Sequence, residues 1–114
     1  ARWRRFRAPV CLLIWDVDRF KAVNDTYGHR AGDAALREIA QCLDARRRES
    51  DFLGRMGGEE FGLLLVGTAL AEATTVANEM RERIAALGFH FRGAPLTITA
   101  SCGLTEFREG DTAE

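Results

Sequence analysis

Blocks of apolar and polar positions along this chain predict strands and helices in turn. Six apolar residues run from Val10 to Trp15 and stop at Asp16, which predicts a fully buried strand. Apolar residues recur at helical spacing from Asp33 to about Arg47, and again from Leu70 to Leu87. The pattern therefore predicts two amphipathic helices, the first of them starting near Gly32-Asp33.

The rest of the pattern predicts two hairpins. Short strands over Phe52–Met56 and Glu60–Val66 flank Gly57-Gly58, and paired glycines favour a primed turn with positive φ. A second hairpin is predicted from Phe89–Phe91 and Leu96–Leu104, turning at Gly93-Ala94-Pro95. The order β-α-β-β-α-β-β predicts an α/β sandwich with a mixed, mostly antiparallel sheet flanked by helices.

Composition limits the class of protein. The chain has 114 residues, 16 Lys+Arg, 17 Asp+Glu and 46% hydrophobic residues, which fits one domain with a core and argues against disorder. A net charge of −1 argues against a nucleic-acid binder. No apolar run approaches the roughly 20 residues of a membrane span. Three cysteines without CxxC spacing argue against a disulfide framework and against a zinc site, so we expect reduced thiols in a cytoplasmic protein.

The first seven residues alternate basic and aromatic side chains, which could contact phosphate or a membrane surface. The run is short and nothing basic follows it, so we favour a linker from an upstream domain. We therefore assign residues 1–8 to that linker and residues 9–114 to a single domain.

Two acidic segments are candidates for chemistry. Asp16 and Asp18 follow the buried strand at a spacing of two, where α/β sheets usually bind ligands, and carboxylates suit Mg²⁺. An EF-hand is excluded because Phe20 and Lys21 stand where that loop needs an oxygen ligand and a glycine. The alternative is that both acids cap a short following helix.

The second acidic segment is the hairpin Arg55–Phe61, with Glu59 and Glu60 beside two glycines. Adjacent like charges repel, so the pair makes most sense opposite a cation. The alternative is a solvated hairpin tip. A compact sheet can place this hairpin beside the end of the first strand.

Three motifs in register resemble the GGDEF family, the diguanylate cyclases. The family carries D-x-D-x-F-K-x-x-N-D, then G-H-x-x-G-D, then G-G-[DE]-E-F. The matching segments here are Asp16–Asp25, Gly28–Asp33 and Gly57–Phe61. The later segment Thr99–Gly103 also fits, so the resemblance covers nearly the whole chain.

The resemblance implies condensation of two GTP into cyclic di-GMP with release of two pyrophosphates. It also implies a nucleotidyl-cyclase-like fold with helices on both sides of a central sheet. Mg²⁺ or Mn²⁺ would be held by Asp16, the Val17 carbonyl and Glu59, and Glu59 would also be the base for the ribose 3′-hydroxyl.

The same resemblance implies the substrate contacts. Asn24 and Asp33 would hydrogen-bond guanine with His29 nearby; guanine offers a carboxylate N–H donors that adenine lacks. Phe20 and Lys21 would lie on a loop beside the phosphates, and Lys21 would stabilise transition-state charge. Gly57 and Gly58 of the hairpin would also bind the substrate. In chain order, the metal-binding and substrate-binding residues that the resemblance implies are Asp16, Val17, Phe20, Lys21, Asn24, His29, Asp33, Gly57, Gly58 and Glu59. Because each site holds one GTP, a homodimer would be needed for catalysis.

Arg48 to Asp51 form an R-x-x-D string, and five residues separate Asp51 from Gly57. This position matches the family's product-inhibition site. Arginine and aspartate would grip cyclic di-GMP there. The alternative is an exposed ion pair at a helix end, which would contribute at most about 1 kcal/mol.

The chain also departs from the family. Family domains continue into a further helix, whose basic residues help hold the triphosphate, and a final strand, so we expect this domain to be incomplete at its C-terminus. The competing function is a non-catalytic module that binds GTP or cyclic di-GMP. The intact acidic motifs favour the enzyme. The resemblance then implies the cytoplasmic domain of a bacterial signalling protein, which could be anchored in a membrane. An upstream sensory or regulatory domain would control it.

Overall fold

The structure, a computed structural model, describes residues 8–108. The elements follow in chain order: β1 (Val10–Val17), α1 (Phe20–Tyr27), α2 (His29–Arg46), β2 (Phe52–Arg55), β3 (Glu60–Val66), α3 (Leu70–Ala85), β4 (Phe89–Phe91), β5 (Ala94–Leu96) and β6 (Ala100–Phe107). The linker assigned to residues 1–8 lies, except for Ala8, outside the described residues. Between residues 8 and 108, no helix is both long enough and apolar enough to cross a membrane.

A four-stranded sheet in the order β2-β3-β1-β6 forms the centre of the fold. Every strand pair in it is antiparallel. The predicted α/β architecture with a mostly antiparallel sheet is confirmed, and the described part of the sheet is antiparallel throughout. In register, Asp16 at the end of β1 stands between Glu60 of β3 and Ser101 of β6.

One face of this sheet carries the core. Alternate residues of β1 are buried, and they join one apolar cluster with residues from all three described helices. The cluster includes Leu13, Trp15, Val23, Ile39 and Met80. The central sheet with helices on both sides is therefore not seen within residues 8–108, because the described helices all bury their apolar stripes on the same face.

The opposite face of the sheet is only half-covered. Leu12 and Ile14 are half-buried, while Phe52 is 65% exposed and Met56 58% exposed. This face also bears glycines in register, Gly62 and Gly103, opposite Ile14.

The structure adds a helix before α2. Residues Phe20–Tyr27 form α1, and α2 starts at His29, one turn before the predicted start. Gly28, at φ 94°, separates the two helices, and this backbone conformation favours glycine. The apolar pattern alone did not find α1 because only two of its eight residues are buried.

The two hairpins turn in different ways. Gly57 and Gly58 are not at positive φ, so the primed turn predicted there is wrong. The connection instead runs from Met56 to Glu59, and a longer loop reverses the chain without mirror-image dihedrals. The second hairpin does turn at positive φ, at Arg92 and Gly93.

The single strand predicted over Leu96–Leu104 is two strands. Ala94–Leu96 pairs only with β4 in a separate two-stranded sheet, and Ala100–Phe107 pairs with β1 in the main sheet. The break follows from geometry, because one straight strand cannot belong to both sheets. The described cysteines, Cys11, Cys42 and Cys102, are free thiols, as predicted.

Candidate functional site

The end of β1 and the tip of the β2–β3 hairpin meet at one edge of the sheet. The register of β1 and β3 sets Asp16 opposite Glu60, and the Val17 N–H donates to the Glu59 carbonyl oxygen over 3.2 Å. The two acidic segments that the sequence singled out are thus neighbours. They are close because antiparallel pairing sets the end of β1 beside the start of β3.

The carboxylates of Asp16 and Glu59 are both half-buried. Among residues 8–108, neither accepts a side-chain hydrogen bond nor forms an ion pair. Two unpaired carboxylates on one sheet edge fit a hard divalent cation. No group of three or more His, Cys, Asp or Glu in the described part of the chain could hold a metal, but the expected set contains two carboxylates and a carbonyl.

Asp18 differs from Asp16, although the sequence pattern treats them alike. Its carboxylate accepts hydrogen bonds from the hydroxyl groups of Thr99 and Ser101 at 2.7 and 2.6 Å. Asp18 therefore has partners within the protein, whereas Asp16 has none among residues 8–108.

The hairpin tip is held by a residue to which the sequence analysis gave no role. The Arg55 guanidinium donates to the carbonyl oxygens of Gly57 and Gly58, and the Met56 N–H donates to the Glu60 carbonyl over 2.8 Å. Arginine satisfies two carbonyl groups that would otherwise point into solvent from a turn without side chains. These bonds define the loop that carries Glu59.

Asn24 on α1 packs against α2 just before Asp33. A Cβ added at Gly32 would lie 1.8 Å from Asn24 Oδ1, so only glycine permits this approach. The same Oδ1 is buried and has no hydrogen-bond partner within the described residues. An amide in this position is available to a ligand, and it lies next to the residue expected to bind guanine.

Asp33 lines an open cleft of about 530 Å³ between α2 and the β2–β3 hairpin. Its floor is apolar, from Leu36, Leu53 and Phe61, and Arg37 and Arg55 stand at its edge. An apolar slot with an acceptor at its rim suits a flat base with N–H donors. The helical spacing of Leu36 marked it as core, which hid its place in this wall.

Three other expected substrate contacts are placed by α1 and α2. Phe20 is only 9% exposed and its ring packs in the core, so the predicted contact with the phosphates would come from its main chain at the start of α1. Lys21 is exposed, in the first turn of α1 rather than on a loop, and its Nζ bonds Asp25 Oδ2 at 2.8 Å. His29 is exposed at the start of α2.

Arg48 and Asp51 form an ion pair in which Asp51 is buried and Arg48 is half-exposed, within a larger hydrogen-bond network. Asp51 is 3% exposed. Its Oδ1 accepts from Arg48 Nη2 at 2.9 Å and from the Val66 N–H at 3.3 Å, and its Oδ2 accepts from the Arg48 N–H and Nε. Arg48 Nη2 also donates to the Val66 carbonyl and to Thr68 Oγ1. The interpretation as an exposed ion pair is therefore wrong.

Electrostatics follow from this network. Burial by itself raises the pKa of Asp51, but the hydrogen bonds from Arg48 and from the Val66 N–H outweigh burial and hold the pKa below its usual range. Four accepted bonds fill the carboxylate's capacity, so Asp51 offers no free oxygen to a guanine. Arg48, whose side chain is 49% exposed, is the member that a ligand can reach.

Comparison with known proteins agrees with this geometry. The sequence matches the family described as diguanylate cyclase, GGDEF domain, over residues 1–114. It is 44% identical over 114 residues to the diguanylate cyclase DgcP of Pseudomonas aeruginosa, which covers 100% of this chain and 17% of DgcP. It is 42% identical over 116 residues to the response regulator PleD of Caulobacter vibrioides, covering 93% of this chain and 24% of PleD.

Solved structures share the fold. The diguanylate cyclase SiaD of Pseudomonas aeruginosa, solved in complex with its activator SiaC, matches with a TM-score of 0.88 and 44% identity over 97% of this chain and 43% of SiaD. The GGDEF domain of DgcB from Caulobacter crescentus, solved in complex with c-di-GMP, gives 0.89 and 29% identity over 97% of this chain and 67% of that domain. This chain spans only about a fifth of the curated relatives named above. With the match over its whole length, the three motifs in register and the shared fold, the chain belongs to the GGDEF-domain family of diguanylate cyclases.

Proposed function

We propose that the protein condenses two GTP into cyclic di-GMP with release of two pyrophosphates. One observation carries the proposal: the Asp16 and Glu59 segments meet at one sheet edge, tied by the Val17–Glu59 hydrogen bond. The cyclases among its relatives, at 44% identity for DgcP, support the same reaction.

The residues at this edge fit a divalent cation. Asp16, the Val17 carbonyl and Glu59 would hold Mg²⁺ or Mn²⁺, and both carboxylates lack competing partners within residues 8–108. Such a cation, when bound, supplies stabilisation for the charge that builds on the phosphate oxygens.

The chain's own groups perform the remaining work. A bond forms between the ribose O3′ of one GTP and the α-phosphorus of the other, and the bond from that phosphorus to pyrophosphate breaks. Glu59 accepts the proton from the 3′-hydroxyl. Lys21 would have to leave Asp25 to approach the phosphates, and its exposed position in the first turn of α1 permits this.

Guanine recognition rests on the cleft beside α2. Asp33 accepts the N1–H and N2–H₂ donors of guanine, Asn24 reads the same base, and Leu36 packs against the ring. Adenine lacks this pair of donors, so the protein selects GTP. His29 lies near the entrance.

The product requires two GTP, and each domain offers one such site. Two copies of the chain must therefore face each other, as a homodimer. Product inhibition acts elsewhere: Arg48 contacts a phosphate of cyclic di-GMP while Asp51 holds it in place, and the bound product restricts how the two domains meet.

Incubation of the complete protein with GTP and Mg²⁺ tests the reaction. We expect cyclic di-GMP and pyrophosphate in a ratio of one to two, detected by chromatography and a coupled phosphate assay. ATP should give no cyclic product, and Asp33→Ala should weaken the preference for GTP over ATP. Binding of GTP or cyclic di-GMP without turnover would overturn the proposal in favour of a receptor module.

A further inference from the structure

Asp18 is an acidic residue of the first motif to which the proposed reaction gives no role. It follows β1 directly, and its main chain and side chain bond to Thr99, just before β6, and its side chain also to Ser101 in β6. The Asp18 N–H donates to the Thr99 carbonyl over 2.9 Å, and the Thr99 hydroxyl donates back to Asp18 Oδ2 over 2.7 Å. The Ser101 hydroxyl donates to Oδ1 over 2.6 Å. We call these three bonds the Asp18 brace.

The brace acts on a peptide group that matters to the metal site. The Asp18 N–H and the Val17 carbonyl belong to one peptide unit, which is planar and trans, so they point in opposite directions. A bond that aims this N–H at Thr99 therefore aims the Val17 carbonyl away from Thr99. The preceding N–H, that of Val17, is bound to the Glu59 carbonyl.

The chain turns sharply just after the brace. Arg19 adopts φ 56° and ψ 34°, a left-handed conformation uncommon for a residue with a side chain, and α1 begins at the next residue. Such a turn persists where the surrounding structure holds it. Within residues 8–108, the described bonds at Asp18 are what secures its N-terminal side.

We propose that Asp18 is a positioning residue, which fixes the Val17 carbonyl and the start of α1 through Thr99 and Ser101 and does not bind the metal itself. The inference rests on the proposed function and deepens it. Both carboxylate oxygens of Asp18 are engaged by hydroxyl groups, whereas Asp16 is not engaged within the described residues. Groups that orient metal ligands commonly change metal affinity 10- to 100-fold when removed.

The decisive variant leaves Asp18 in place and removes its partners. Thr99→Val with Ser101→Ala in the complete protein deletes both hydroxyl groups but no carboxylate. We expect Mn²⁺ alone, titrated by electron paramagnetic resonance, to bind about tenfold more weakly, and amide exchange of the Asp18 N–H, followed by NMR, to speed up about tenfold. At saturating Mn²⁺, turnover should recover to within about threefold of wild type.

Matched variants separate positioning from ligation. Thr105→Val removes an exposed hydroxyl from the same strand and should change neither Mn²⁺ affinity nor Asp18 exchange. Asp18→Asn should weaken Mn²⁺ binding only slightly, because the new amide can accept a hydrogen bond from one hydroxyl group and donate one to the other. Asp16→Asn should lose Mn²⁺ binding. Asp18→Ala should match the Thr99–Ser101 double variant and add nothing to it.

Two results would overturn the inference. One is that Asp18→Asn loses Mn²⁺ as fully as Asp16→Asn while the double hydroxyl variant binds like wild type, which makes Asp18 a ligand. The other is unchanged Asp18 exchange in the double variant. If wild-type protein forms no cyclic di-GMP from GTP, the proposed function fails. Mn²⁺ affinity and amide exchange still test whether Asp18 positions the Val17 carbonyl.

Discussion

At the scale of single residues, identity matters most where a backbone or side-chain contact leaves no alternative. Gly32 and Glu59 illustrate two kinds of requirement. Gly32 supplies space for the Asn24 amide. Glu59 supplies a carboxylate on a loop whose carbonyl groups accept hydrogen bonds from Arg55. The first requirement is steric and the second is chemical.

Replacing Glu59 by Gln should cut turnover by at least ~100-fold, because the variant loses both a metal-binding oxygen and the base for the 3′-hydroxyl. Folding should survive, since the hairpin tip is largely exposed. Initial rates of cyclic di-GMP formation measure the effect, with Glu38→Gln on the exposed face of α2 as control. Near-normal turnover in Glu59→Gln would remove this residue from the mechanism.

Gly32→Ala should raise the KM for GTP about tenfold, roughly the worth of one hydrogen bond. The new Cβ would meet Asn24 Oδ1 at 1.8 Å and Phe20 Cζ at 3.1 Å, so the Asn24 amide must move. Steady-state kinetics check this, with Gly88→Ala, which nothing crowds within 4 Å, as control. An unchanged KM would show that Asn24 does not contact the base.

Among the elements of the fold, the connecting segments, more than the helices and strands, carry the polar networks that hold the two ends of the sheet. The link from α2 to β2 carries Arg48 and Asp51, and their network reaches Val66 and Thr68 at the far end of β3. That network joins two loops at one end of the sheet. The brace at Asp18 does the same at the other end.

Arg48→Ala should lower the free energy of unfolding by about 1–3 kcal/mol, because it leaves the buried Asp51 carboxylate short of its charged partner. The exposed half of the Arg48 side chain keeps this below the ~3–5 kcal/mol of a fully buried pair. Urea denaturation measures it. Asp25→Asn, which breaks the exposed Lys21–Asp25 pair, should change stability by no more than ~0.5 kcal/mol.

If Arg48→Ala lost no more stability than Asp25→Asn, the Arg48–Asp51 network would not stabilise the fold as expected. Product inhibition is a separate readout of the same variant. If Arg48 contacts cyclic di-GMP, synthesis in Arg48→Ala should continue to higher product concentrations than in wild type, even after correction for the folded fraction.

The acid limb of stability should also depend on Asp51. Its folded pKa is lowered, so its contribution is present above the unfolded value, near the ordinary 3.8, and is lost as pH falls through the folded value. Melting temperatures between pH 5 and pH 2 should therefore fall less steeply in Asp51→Asn than in wild type. Parallel curves would show that another carboxylate dominates.

At the scale of the whole molecule, one domain offers half of what the proposed reaction needs. The guanine cleft, the sheet edge and the hairpin all belong to one copy, and the product contains two guanosines. The half-covered sheet face, with Phe52 65% exposed, is a separate property of the described fold. The proposed reaction would therefore depend on how two copies meet.

If the active species is a dimer, as proposed, specific activity should rise with protein concentration in the dilute range. The measurement is the initial rate of cyclic di-GMP formation at saturating GTP, over a hundredfold range of protein concentration, with sedimentation at the same concentrations. Constant specific activity in a range where sedimentation shows only monomer would exclude a catalytic homodimer.

The sequence by itself determined the motifs, the buried strand β1, both long helices and the hairpin that carries Glu59. These features are local, since they depend on spacing along the chain and on periods of two or 3.6 residues. Local periodicity did not determine the inward face of β1, because all six residues from Val10 to Trp15 are apolar. The strand was expected to be fully buried, but the structure buries only alternate residues, among them Cys11, Leu13 and Trp15.

Tertiary structure decided what distant residues do to one another. The aromatic ring of Phe20 entered the core, Asp51 became buried under Arg48 and Val66, and Asp18 found hydroxyl partners 81 and 83 residues away. No spacing rule predicts such partners, because pairing across a sheet depends on strand order. Asp16 and Asp18 are alike in the sequence, and only the arrival of β6 beside β1 gives one its partners and leaves the other unpaired within the described residues.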